Sequence, residues 1–215
     1  MSEATDRVTV FTQSSIRLSG EKMLYFDPFQ MDHEPHDADA VFITHDHYDH
    51  FSPEDFAKVM RPDTVMVLPT LLEPAAREAG VPAEHIICVE PAQQLKVLGI
   101  PVETVAAYNV DKPYHPRSKH WVGYVVTVKG VRYFISGDTD RIPENEAVDC
   151  DVALIPIGGT FTMDAAEAAG LIDAIRPRIA AIPTHYGTIV GAPSDAAAFA
   201  KHVDPAIPVA VKLSF

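Results

Sequence analysis

Three of the chain's ten histidines fall inside one heptapeptide, Thr44-His45-Asp46-His47-Tyr48-Asp49-His50, directly after the apolar run Ala40-Val41-Phe42-Ile43. No local propensity explains such clustering, whereas imidazole nitrogens and carboxylate oxygens are common ligands of divalent metals. If residues 41–47 are extended, as their β-branched and aromatic content suggests, the period of two sets His45 and His47 on one face with Asp46 opposite. Asp49 and His50 then follow past the strand end, where a turn swings them to a second point nearby. The spacing predicts two adjacent metal sites.

Three further polar clusters stand at predicted strand ends. One runs from Tyr108-Asn109 through His115 to His120, one is Ser136-Gly137-Asp138-Thr139-Asp140, and one is Pro183-Thr184-His185-Tyr186-Gly187-Thr188. Each carries a glycine or proline where the backbone must turn sharply to present a side chain.

The elements that must position these clusters read as strands first. Residues 8–11, 15–18 and 22–26 form a small meander with Ser19-Gly20-Glu21 as a turn, and a polar loop with His33 and His36 spans 31–39. Ser52-Pro53-Glu54-Asp55 opens a helix, with Ser52 as N-cap and Asp55 completing a capping-box-like pair. A β-α-β rhythm follows: a strand at 64–68, a helix at 71–79 stopped by Gly80, and a strand at 85–89. Residues 93–97 and 102–106 pair about Gly99-Ile100-Pro101. Residues 121–128 and 131–136 form a hairpin about Lys129-Gly130. The chain closes with strands at 152–155, 179–182 and 209–213 and helices at 164–175 and 194–202, the last capped by Ser194. A meander followed by alternating strands and helices therefore occurs twice.

At 215 residues the chain suits a single domain, residues 1–215, able to bury a two-sheet core without staples. Seventeen basic against thirty acidic residues give a net charge of −13, which disfavours nucleic acid and favours a compact small-molecule substrate. Two cysteines, Cys88 and Cys150, argue against a disulfide framework and read as core thiols in a reducing compartment. The first residues carry no signal-peptide pattern and no long apolar run occurs, so a cytoplasmic protein without membrane contact is expected.

His-x-His-x-Asp-His at a strand end, followed in order by a lone histidine, a Gly-Asp and a last histidine, resembles the metallo-β-lactamase superfamily. Ala107-Tyr108-Asn109 and Lys112-Pro113-Tyr114-His115-Pro116 are similar to its short stand-alone hydrolases, the branch of the ascorbate-6-phosphate lactonases. The resemblance implies an α/β fold, a four-layer αβ/βα sandwich. It implies that His45, His47 and one histidine of the 108–120 loop hold one metal, and that Asp49, His50 and His185 hold the second. Asp138 would bridge the two, and Asp27 would support the histidine loop without binding metal. The motif match favours His115 as the third ligand; His120, three residues before Gly123 and at a strand border, is the alternative.

Such a ligand set, without thiolate, suits two divalent metal ions, Zn²⁺ foremost, with Mn²⁺, Fe²⁺ or Ni²⁺ also compatible. A hydroxide held between two metals would then cleave a small ester, lactone or phosphodiester, with Asp49 and Asp138 as the catalytic carboxylates. Thirty residues follow His185 in this sequence, so no appended substrate domain is expected. Two other functions use the same ligands: an iron-dependent redox enzyme and a non-catalytic metal-binding module. Tyr48 and Tyr186 are candidates to line a substrate entrance. His33, His36, His85 and His202 match no motif and are expected at the surface.

Overall fold

The computed structural model describes residues 2–215; Met1 lies outside the described residues. The first half runs α1 (Glu3–Asp6), β1 (Val8–Val10), β2 (Ile16–Ser19), β3 (Met23–Phe26), β4 (Ala38–Phe42), α2 (Pro53–Val59), β5 (Met60–Pro69), α3 (Glu73–Glu78) and β6 (Ile86–Val89). The second runs β7 (Gln94–Val97), β8 (Ile100–Ala106), β9 (Val122–Val128), β10 (Val131–Ile135), α4 (Pro143–Glu146), β11 (Val152–Pro156), α5 (Ala165–Ile175), β12 (Ala180–Thr184) and α6 (Asp195–His202).

Each half builds one six-stranded sheet, ordered β1 to β6 in the first and β12 to β7 in the second. In the first sheet β1, β2 and β3 are antiparallel and β3 through β6 parallel. In the second β7 through β10 are antiparallel, and β10, β11 and β12 parallel.

Period-two alternation sorts the side chains between layers. Leu24, Phe26, Ala40, Phe42 and Val67 face the second sheet's Val122, Tyr124 and Val126, whereas Tyr25, Val41, Met66 and Leu68 pack under Phe56 and Val59 of α2 and Ala76 of α3. Ala168, Leu171 and Ile172 of α5 and Phe199 of α6 cover the second sheet's outer face. The result is the expected four-layer αβ/βα sandwich.

Phe42 meets Phe26 at 4.8 Å between ring centroids and Tyr124 edge-on at 5.2 Å, across the two sheets. Burying each such ring stabilises the fold by roughly 1.5–3 kcal/mol. The Tyr124 hydroxyl donates to the Ile43 carbonyl at 2.6 Å and the Val122 amide to the Thr44 carbonyl at 3.2 Å, so the sheets are stitched together beside the histidine heptapeptide.

Several local expectations are corrected. β4 ends at Phe42, so His45 and His47 lie on the loop beyond it and not on a strand face. The meander, the 121–136 hairpin and the helix at 165–175 form as expected, the last through a true capping box in which Asp164 accepts from the Ala166 and Glu167 amides. Ser52, by contrast, makes no side-chain cap; its hydroxyl donates to the Asp55 carboxylate at 2.7 Å, and that carboxylate accepts from the Gln30 and Met31 amides at 2.9 Å. No strand forms over 209–213: Val209 makes a single parallel bridge to Ala181, with Pro208 unable to donate an amide beside it. Cys150 is buried but Cys88, on the edge strand β6, is exposed. No helix is long and apolar enough to cross a membrane among the described residues.

Candidate metal centre

All the candidate ligands stand on loops at one end of the sandwich, most of them just after a strand of a parallel pair. The heptapeptide follows β4, Asp138 follows β10, His185 follows β12, and His115 sits in the loop from β8 to β9. Gly137, with φ +64, lets the Asp138 loop lie against the histidine loop: a Cβ there would stand 3.0 Å from Thr44 Cβ.

The ligand atoms of His45, His47 and His115 all lie within 4.8 Å of one another, and so do those of Asp49, His50 and His185. Asp138 sits between these trios. Its Oδ2 is 3.4 Å from His115 Nε2, 4.0 Å from His45 Nε2 and 3.2 Å from His185 Nε2, and its Oδ1 is 3.4 Å from His50 Nε2. His45 Nε2 and His47 Nδ1 converge to 3.1 Å, and Asp49 Oδ2 is 3.3 Å from His185 Nε2. His47 alone among the seven is half-exposed; the other six are buried. His120 lies outside both trios, exposed and paired with Glu90 at 2.9 Å.

Supporting hydrogen bonds fix which nitrogen of His45, His50 and His115 faces inward. Buried Asp27, at φ +44 just after β3, accepts from the Thr44 amide at 2.8 Å, the Thr44 hydroxyl at 2.6 Å and His50 Nδ1 at 2.8 Å. The Thr44 hydroxyl in turn accepts from His45 Nδ1 at 2.9 Å. Asn109 Oδ1 accepts from His115 Nδ1 at 3.0 Å and from the His115 amide at 2.9 Å, while its Nδ2 donates to the Phe161 carbonyl at 2.9 Å. His185, strained at φ +55, is pinned by its amide donating to the Gln13 carbonyl at 2.9 Å. Trp121 packs on this side, with ring centroids 5.0, 5.1 and 5.5 Å from His45, His47 and His115.

The chemistry of the donor set fits divalent cations. His50 Nε2, His115 Nε2 and Asp138 Oδ1 are buried without a hydrogen-bond partner, a costly arrangement that cations between them would relieve. Burial, and then the neighbouring His50, hold His45 well below the ordinary imidazole range; burial and His115 lower His47 as well. Burial opposes charge on His50 too, but the carboxylates of Asp138 and Asp27 more than reverse it and raise its pKa well above the usual value. Burial likewise raises Asp138, yet His185 and His50 outweigh it and hold its carboxyl well below the usual range.

The supporting residues Thr44 and Asn109 stand in the motifs quoted above, but nothing in their spacing marks them as supports; Gln13 leaves no sequence signal at all. Tyr186 is buried against Phe215 and lines no entrance. His33, His36 and His202 are exposed and His85 is half-buried.

Two sheets of this topology, with metal-binding side chains at one end, define a metallo-β-lactamase fold. Residues 7–185 match the family profile described as the β-lactamase superfamily domain, and the chain belongs to that superfamily. It is 30% identical over 166 residues to a UPF0173 metal-dependent hydrolase of Saccharolobus solfataricus, covering 75% of this chain and 71% of that one. Its fold superposes with a TM-score of 0.79 on a candidate metal-dependent hydrolase from Parabacteroides distasonis, 26% identical, over 96% of this chain and 93% of the other. It also superposes at 0.76 on CmlA, a diiron β-hydroxylase of Streptomyces venezuelae, 14% identical, over 96% of this chain and 52% of that one, a likeness of fold alone.

Proposed function

We propose that the chain is a metal-dependent hydrolase that uses two divalent metals, held by His45, His47 and His115 and by Asp49, His50 and His185, to cleave a small ester, lactone or phosphodiester. The observation that carries this reading is Asp138, whose two carboxylate oxygens face ligands of both trios at 3.2 to 3.4 Å. Divalent cations held by the two trios would supply an activated water near neutral pH and polarise the oxygen of the scissile group. The donors suit Zn²⁺, Mn²⁺, Fe²⁺ or Ni²⁺, of which Zn²⁺ is the one proposed, and the iron of CmlA marks a redox enzyme as the rival on the same fold.

The chain's own residues hold and move protons around that chemistry. Burial raises Asp49, but its hydrogen bond with His185 and the charge of His50 outweigh it and lower its pKa, so it is ionised at neutral pH and positioned to accept a proton. At an acyl carbon the attacking oxygen adds to the carbonyl, and the bond to the leaving oxygen breaks as the carbonyl re-forms. At phosphorus the leaving oxygen departs in line with the attack, and in both cases Asp49 passes the proton to the leaving oxygen. Asp27 and Asn109 keep His50 and His115 oriented throughout. The net charge of −13 supports a small-molecule substrate over nucleic acid.

The test is turnover and metal content of Asp138→Asn and His50→Ala on chromogenic ester, lactone and phosphodiester substrates. Loss of turnover in both is expected; full turnover with full metal content would sink the two-metal reading. Oxygen uptake with bound iron would favour the redox rival.

A further inference from the structure

Of the seven tyrosines in the chain, Tyr25, Tyr108, Tyr124, Tyr133 and Tyr186 are buried, and the two that are exposed are Tyr48 and Tyr114, at 65% and 42%. Tyr48 directly follows His47, and Tyr114 directly precedes His115. The rings of those two histidines are 4.8 Å apart, and His47 is the half-exposed edge of the centre.

Both tyrosines are braced. Tyr48 meets Phe29 edge-on at 5.8 Å, and Tyr114 meets Phe161 edge-on at 4.7 Å. The Phe161 carbonyl is tied to Asn109, the same carboxamide that orients His115, so this aromatic wall and the metal ligand share one support. Each tyrosine offers an apolar ring face with a polar tip, the kind of side chain that packs on an apolar ligand group at a wet surface.

Three cations on or beside the loop that carries Tyr114 are engaged. Lys119 pairs with Asp46 at 3.7 Å, Lys112 with Asp140 at 2.6 Å and Arg117 with Glu144 at 2.8 Å. A phosphodiester would therefore find unpaired positive charge only in the cations held by the two trios, whereas an apolar group would find the two rings.

We propose that Tyr48 and Tyr114 form an aromatic clasp at the open edge of the first trio, selecting uncharged esters or lactones that carry an apolar or aromatic group over phosphodiesters. The clasp rests on the hydrolytic reading only for the reaction; its binding preference is separately measurable. Hydrolysis adds water across the acyl C–O bond, giving a carboxylic acid and an alcohol from an open-chain ester and a single hydroxy acid from a lactone. The clasp holds the apolar part while that bond faces the metals.

The experiment uses the metal-loaded protein and two series of matched chain length: γ-lactones for turnover and unreactive alkyl γ-lactams for binding. Binding is read from the fluorescence of Trp121, the single tryptophan, which touches His47 and His115. Affinity and kcat/KM are expected to rise roughly two- to fourfold per methylene up to the length of the clasp. Tyr48→Ser and Tyr114→Ser flatten the slope without changing metal content, and Tyr48→Phe and Tyr114→Phe restore it. Lactam affinity independent of chain length, or faster turnover of bis(p-nitrophenyl) phosphate than of the lactones, overturns the clasp. A rising lactam affinity without turnover of any substrate keeps the clasp and overturns the hydrolytic reading instead.

Discussion

His115 and His120 lie five residues apart and have opposite environments. The first is buried, with Nδ1 on Asn109 and Nε2 toward Asp138; the second is exposed on a surface carboxylate. His115→Ala is accordingly expected to lose the metal of the first trio, and His120→Ala to retain it, as measured by elemental analysis of the purified variants. Retention of full metal content by His115→Ala would reassign the ligand. At this scale the sequence is informative where residue type alone carries the chemistry: imidazoles and carboxylates clustered beyond apolar runs name their own role. The supporting residues are less legible. Thr44, Asn109 and Gln13 are ordinary polar residues whose function arises only from where the backbone sets them, and a backbone carbonyl such as that of Gln13 leaves no trace in residue type.

The elements show why one argument about the heptapeptide fails although its conclusion about convergence stands. Alternation on a strand cannot bring His45 and His47 together, because β4 stops at Phe42; the loop does so by hydrogen-bonding Thr44 to Asp27. Long apolar runs and the Lys129-Gly130 hairpin were legible from pattern, since burial on both faces and turn chemistry are local properties. The four-residue helices α1 and α4 were not, since so short a segment shows no helical period. Position 123 on β9 gives a test at this scale. A Cβ on Gly123 would stand 2.5 Å from the Ser136 carbonyl oxygen and 2.8 Å from that of Ile135, both rigid backbone one or two residues before the Asp138 loop. Gly123→Ala is expected to destabilise the fold by about 1–3 kcal/mol, read as a lower urea midpoint with unchanged slope. An unchanged midpoint would show that β9 and β10 separate freely.

Over the whole molecule, the twofold repetition of meander and β-α rhythm was visible in the sequence, but the face-to-face packing of the halves came from the resemblance to a known fold. The reason is physical: alternation tells which residues face inward, not which sheet they face. Each trio takes two ligands from the first half and one from the second, so the centre exists only when the sheets are docked. Chelation should therefore lower the stability of the entire sandwich. With free metal at about a hundred times its dissociation constant, binding to the folded state adds about 2.7 kcal/mol per site; EDTA is expected to lower the melting temperature, and excess Zn²⁺ to restore it. A melting temperature indifferent to EDTA would deny the metals any part in holding the halves together.

The same cross-half arrangement sets an order of events during synthesis, which runs from the N-terminus. Four of the seven ligand residues leave the ribosome by position 50, yet neither trio is complete in them. The first can close only after His115 has emerged, and the second only after His185. Until then the histidine loop of a nascent chain lacks the later residue that completes each trio.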